Sequence, residues 1–116
     1  MNKNETLSVV IPVFNEEASL QELIDRTLAA CEKTNCVFEI ILVDDGSRDQ
    51  SRKMIEDASI KYPGQVIGVL LNRNYGQHAA VMAGFAQTKG DMIISLDADL
   101  QNPPEEIPNV ADKMRE

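Results

Sequence analysis

Strand-like and helix-like patterns alternate four times along this 116-residue chain, and few folds accommodate that order. Apolar runs at residues 7–13, 38–43, 66–71 and 92–96 have the length of buried strands, too short for helices. Leu20, Leu23, Ile24, Leu28 and Cys31 recur at helical spacing and predict a first helix from near Ser19 to about Lys33, with Ser19 and Glu22 as a capping box. A second helix is expected over 49–61, with Met54, Ile55 and Ala58 on its apolar face and Pro63 and Gly64 as its stop. A third, rich in small residues, is expected over 77–87. The last begins near Pro104 and carries Ile107, Val110 and Met114, with Pro108 delaying its start. This order specifies an α/β fold, a Rossmann-like, mostly parallel sheet with helices on both faces. With 43% hydrophobic residues the chain suffices for one small domain with a real core, and not for two.

Such sheets bind ligands beyond the carboxyl ends of their strands. That rule gathers Asn15 and Glu16, Asp44 and Asp45, residues 73–76, and residues 97–101 along one edge. Asp97 and Asp99 stand where the fourth apolar run stops. In extended chain, residues two apart point to the same side about 6.6 Å apart, so the two carboxylates converge, and Gln101 adds an oxygen where the chain curls. Hard oxygen ligands of this kind suit Mg²⁺ or Mn²⁺, which fill their remaining positions with water and phosphate oxygens. The alternative is a pair of turn residues closing a strand, helped by Pro103 and Pro104. Asp45 is placed as the acid that holds ribose hydroxyls or base donors, or else forms an Asx-turn with Gly46; Asp44 is not separable from it on sequence. Arg73 is either a phosphate partner or a solvated surface charge.

Several classes are excluded. The first turn, residues 14–17, has no glycine-rich fingerprint, so a dinucleotide site is absent. Nineteen acidic against eleven basic residues, a net charge of -8, disfavour binding to nucleic acid or to an anionic membrane surface, and an anionic ligand would need a cation. No apolar run approaches the ~20 residues of a membrane helix, and residues 1–6 are polar, so the segment is expected to be cytosolic. Cys31 and Cys36 lack the spacing of a redox or zinc motif and read as free thiols. His78 has no partner spaced for a triad, and no catalytic residue is assigned.

Two functional classes remain. One is a nucleotide-sugar transferase in which metal and diphosphate leave together. The other is a phospho-receiver domain with Asp97 as phosphoacceptor, although a receiver's acidic pair ends the first strand, whereas Asp44 and Asp45 follow the second.

Residues 10–16 (Val-Ile-Pro-Val-Phe-Asn-Glu), 43–47 (Val-Asp-Asp-Gly-Ser) and 96–101 (Leu-Asp-Ala-Asp-Leu-Gln) together closely resemble the family 2 glycosyltransferases of the GT-A fold. Residues 71–78 and 101–108 look like the polyprenyl-phosphate group within that family. The resemblance runs from Leu7 onward. It implies that Pro12, Phe14, Asn15 and Glu16 line a nucleotide pocket, with Asp44 and Arg73 among its candidates. By the same resemblance, Asp45 holds uracil or ribose, and Asp97, Asp99 and Gln101 hold Mg²⁺ or Mn²⁺. The implied reaction inverts the sugar carbon, with a UDP-sugar as donor and a polyprenyl phosphate as acceptor, in bacterial lipid A modification and polymyxin resistance. It would run at the cytoplasmic face of the inner membrane. The family's acceptor half and membrane helices have no counterpart in these residues. The segment is therefore expected to bind nucleotide, transfer nothing, and self-associate through an open sheet edge.

Overall fold

Leu7, Val9, Ile11 and Val13 are buried, and so are the alternating Ser8, Val10 and Pro12, which requires a strand covered on both faces. In the computed structural model, which describes residues 5–98 and 103–115, this strand is β1 (Thr6–Val13). It lies in a parallel sheet with β2 (Val37–Asp44), β3 (Val66–Leu70) and β4 (Met92–Ser95), in the order β3-β2-β1-β4. Thr6 sits beside Val37 and Val13 beside Asp44, so β1 and β2 end level. On the other side of β1, Leu7 faces Met92 and Val10 faces Ser95.

The helices cover both faces, as the alternating pattern requires. Leu20, Leu23, Ile24 and Leu28 of α1 (Glu17–Glu32), Ile55 of α2 (Ser51–Lys61) and Ile107 of α4 (Ile107–Met114) pack on Leu7, Val9, Ile11, Ile40 and Leu42. The opposite face is smaller: Val10, Ile41 and Val43 lie under Ala80 of α3 (Gln77–Phe85). Gly84 lets α3 come this close. A Cβ there would stand 2.5 Å from Val10 Cγ1 and 2.9 Å from Val43 Cγ2.

Helix starts depart from the local sequence signals. α1 begins at Glu17, two residues before Ser19, and the expected capping box does not form because Ser19 already lies in the first turn, its amide donating to the Glu16 carbonyl at 3.1 Å. The cap comes from the next crossover instead. The Glu16 amide donates to Ser51 Oγ at 2.9 Å and the Glu17 amide to Asp49 Oδ2 at 3.1 Å. Asp49 also accepts the Ser51 amide at 2.8 Å, which starts α2 at Ser51, two residues later than expected. α3 ends at Phe85, also two residues short. α4 starts late, as expected: a 3₁₀ turn at Pro104–Glu106 precedes Ile107, and Pro108 then falls in the first turn, where its missing N–H would have no helical partner.

Candidate functional site

The strand order reverses at β1, with β2 and β3 on one side and β4 on the other, and a crevice opens where the loops after β1 and β4 part. A cavity of about 320 Å³ occupies it. Pro12, Phe14 and Glu16 line it from the end of β1, Asp45 from just after β2, and Asp97 and Ala98 from the loop after β4; Asn74, Gly76 and Gln77 close it from the turn into α3.

Asp45 is 3% exposed and uses both carboxylate oxygens. Oδ1 accepts the Tyr75 amide at 2.8 Å and Oδ2 the Gly76 amide at 3.1 Å, so the acid fixes the turn that starts α3. Its own amide donates to the Val13 carbonyl at 2.8 Å and carries the β1–β2 ladder one step further. Phe14 is half exposed on the cavity wall above buried Pro12.

Three sequence candidates do not line this cavity. Asp44, fully buried, belongs to the opposite side of β2 from Asp45, because side chains alternate along a strand. Its Oδ2 accepts the Ser47 amide at 3.2 Å and lies 3.8 Å from Arg52 Nη1, while Oδ1 is buried with no hydrogen bond among the described residues. Asn15 adopts a left-handed backbone, φ 52°, and turns its side chain to the next loop: its Oδ1 accepts the Arg48 amide at 2.9 Å and its amide donates to Ser47 Oγ at 2.9 Å. Arg73 is exposed, its guanidinium 4.9 Å from the centre of the Tyr75 ring. His78 is exposed on α3, also off the wall.

Asp97 reaches the cavity, partly buried, and its Oδ1 accepts a hydrogen bond from Gln77 Nε2 at 2.9 Å. Asp99 and Gln101 lie outside the described residues. Among the described residues no three histidine, cysteine, aspartate or glutamate side chains form a metal cluster. Asp97 fits a hard divalent cation as far as it goes: it offers an anionic oxygen in a polar cavity, and Oδ2 has no hydrogen-bond partner among the described residues. Asn74 and Gly76 fall in the stretch 73–76 that the sequence placed on this edge, whereas Gln77 was not among the candidates. The glycine before a helix was the available signal, but nothing local announces that the following side chain crosses to the end of β4.

The loops behind the site are held by charge and amides. Burial works against the charge on Asp49, yet donors from Ser51 and the Glu17 amide outweigh it and keep the carboxyl below its usual range. On the far side of α1, Arg26 pairs with Glu105 at 2.5 Å and with Glu22 at 2.8 Å, tying α1 to the 3₁₀ turn at Pro104–Glu106.

The parallel sheet covered by helices on both faces has the fold of the GT-A glycosyltransferases, whose solved members superimpose on this chain. Residues 8–116 match the model for glycosyl transferase family 2, and the chain belongs to that family. It is 58% identical to undecaprenyl-phosphate 4-deoxy-4-formamido-L-arabinose transferase of Shewanella sediminis, over 99% of this chain and 35% of that protein. The chain thus spans about a third of the length of the curated relatives it matches. Glucosyl-3-phosphoglycerate synthase from Mycobacterium tuberculosis, solved with Mn²⁺, UDP and phosphoglyceric acid, is 29% identical at a TM-score of 0.72, over 95% of this chain and 39% of that one. A mannosyltransferase from Pyrobaculum calidifontis, solved with GDP-Man and Mn²⁺, gives a TM-score of 0.79 at 18% identity, over 97% of this chain and 33% of that one, a likeness of fold alone. Family membership sets the phospho-receiver reading aside. Among the described residues no helix is long and apolar enough to cross a membrane.

Proposed function

We propose that residues 1–116 form the nucleotide-sugar-binding part of an inverting glycosyltransferase that moves 4-deoxy-4-formamido-L-arabinose from a UDP-linked donor to undecaprenyl phosphate, for lipid A modification and polymyxin resistance. The observation that carries this reading is the cavity at the strand reversal, which brings Asp45 and Asp97 onto one surface. The name of the 58% identical relative supports the sugar and the lipid acceptor, and the UDP in the 29% identical synthase supports the nucleotide.

Each residue has a part. Phe14 and Pro12 offer apolar surface to a base. The Asp45 carboxylate, already holding two amides, keeps lone pairs for the N–H or O–H donors of uracil or ribose. Asn15 and Asp44 serve from behind, through Ser47 and Arg48, by holding the loop that carries Asp45. Arg73 stays with Tyr75 at the rim and is given no phosphate contact. Asp97, joined by Asp99 and Gln101, would hold Mg²⁺ or Mn²⁺. When bound, such a cation offsets the charge on a departing diphosphate. The acceptor needs no strong base from this chain, because a phosphomonoester with a second pKa of about 6 is mostly a dianion at neutral pH. The acceptor site and the membrane attachment at the cytoplasmic face are assigned to sequence beyond these residues.

Calorimetry tests this. UDP is expected to bind with Mn²⁺ or Mg²⁺, to lose affinity in EDTA, and to outcompete ADP. Equal affinity in EDTA would remove the metal, and a preference for ADP would remove the uridine donor.

A further inference from the structure

We propose that Gln77 is a positioning residue: its amide holds the Asp97 carboxylate in one orientation, so that the second oxygen of Asp97 is presented to a divalent cation. The inference rests on the metal part of the reading above. Gln77 Nε2 stands 2.9 Å from Asp97 Oδ1, and both residues line the cavity. The terminal torsion of an aspartate is broad and two-fold, so a carboxylate with no donor turns freely between orientations. One amide donor removes that freedom. A lysine or arginine in its place would do so too, but its positive charge would compete with the cation for the same acid. A neutral donor orients the ligand and leaves its charge available, which is the work outer-shell partners do at metal sites.

Gln77 is itself anchored. It is the first residue of α3, and the two amides before it, from Tyr75 and Gly76, are both bound by Asp45. The same turn is therefore gripped by the acid on the nucleotide side and grips the acid on the metal side. Asp45 and Asp97 come from strands on opposite sides of β1, and residues 75–77 are the bridge between them. This gives the polar start of α3 a role that packing alone does not require, since the side chain of Gln77 is exposed.

The test is Mn²⁺ binding to the chain and to two variants, read from the electron paramagnetic resonance signal of free Mn²⁺, with thermal midpoints measured alongside. Gln77→Ala removes the side chain, and Gln77→Met keeps its length while removing the donor. Both are expected to weaken Mn²⁺ binding by about tenfold or more, the size typical of losing an outer-shell partner, without moving the thermal midpoint. Unchanged Mn²⁺ affinity in Gln77→Met overturns the proposal, as does loss in Gln77→Ala alone, which would make the effect one of bulk. If the unsubstituted chain binds no Mn²⁺, the metal assignment itself falls and the inference falls with it, an outcome distinct from the other two.

Discussion

The backbone of Gly46 lies so close to that of Arg73 that a Cβ on Gly46 would stand 2.4 Å from the Arg73 carbonyl carbon. The loop after β2 and the turn before α3 therefore meet main chain to main chain, just behind Asp45. Gly46 also has φ 74°, the left-handed region where a side chain is strained. Gly46→Ala combines about 1–2 kcal/mol of backbone strain with about 1–3 kcal/mol for forcing an atom into packed surroundings. Urea denaturation should show a loss of about 2–5 kcal/mol, with UDP affinity falling as well. Gly64, at φ 82° with open space around its Cβ direction, is the control: Gly64→Ala should cost only the strain.

Asp45 joins the Tyr75 and Gly76 amides, which have no other hydrogen-bond partner among the described residues. Asp45→Asn keeps one acceptor oxygen and turns an NH₂ toward the other amide, leaving a donor facing a donor. The expected cost is about 1–3 kcal/mol of stability in chemical denaturation, together with weaker binding of UDP. Unchanged stability would mean that the turn before α3 is held by other contacts.

Asp97→Asn keeps shape and removes charge. UDP affinity measured with Mn²⁺ should drop by about 2 kcal/mol, on the order of a lost charge-assisted contact, and Asp99→Asn should behave alike. A variant that binds UDP and Mn²⁺ normally would make its aspartate a turn residue only.

Acid should loosen the attachment of the 3₁₀ turn to α1. Hydrogen bonds from Arg26 hold the Glu105 carboxyl at about 2, against an ordinary 4.5, so the folded state binds its proton less readily than the unfolded one. The contribution is complete above about pH 4.5 and is lost as pH falls from there through about 2. Both side chains are substantially solvent-exposed, so the effect should be small and salt-sensitive. Thermal melts between pH 2 and 5 should show a shallower acid slope in Glu105→Gln than in the parent chain.

Cys31 is fully buried among α1 packing residues, and that burial pushes its thiol up to about 12. Iodoacetamide at pH 8 should leave it unmodified in the folded chain and alkylate it in urea, as read by peptide mass spectrometry. Rapid native labelling would mean that α1 opens locally.

Much of the fold was legible because period and length are local properties. The apolar runs of β1 and β2 announce strands covered on both faces, and Leu20, Leu23, Ile24 and Leu28 announce one face of α1. Helix starts were read less well for a physical reason: Ser19 and Glu22 can cap locally, but Ser51 and Asp49, far along the chain, reach the amides of Glu16 and Glu17 first. The identity of the site followed a similar division. The acids at strand ends and the motif order that resembles family 2 were plain in the sequence, whereas the separation of Asp44 from Asp45 was not.

The sequence by itself determined the alternation of strands and helices, the parallel sheet, the edge that carries the candidate site and the family, since each depends on residue types at short spacing. Only the tertiary structure decided the order β3-β2-β1-β4, the burial of Asp44 against α2, the turning of Asn15 to the neighbouring loop and the reach of Gln77 to Asp97. These join residues from different crossovers, and such contacts exist only once burial of both faces of β1 has brought the strand ends together.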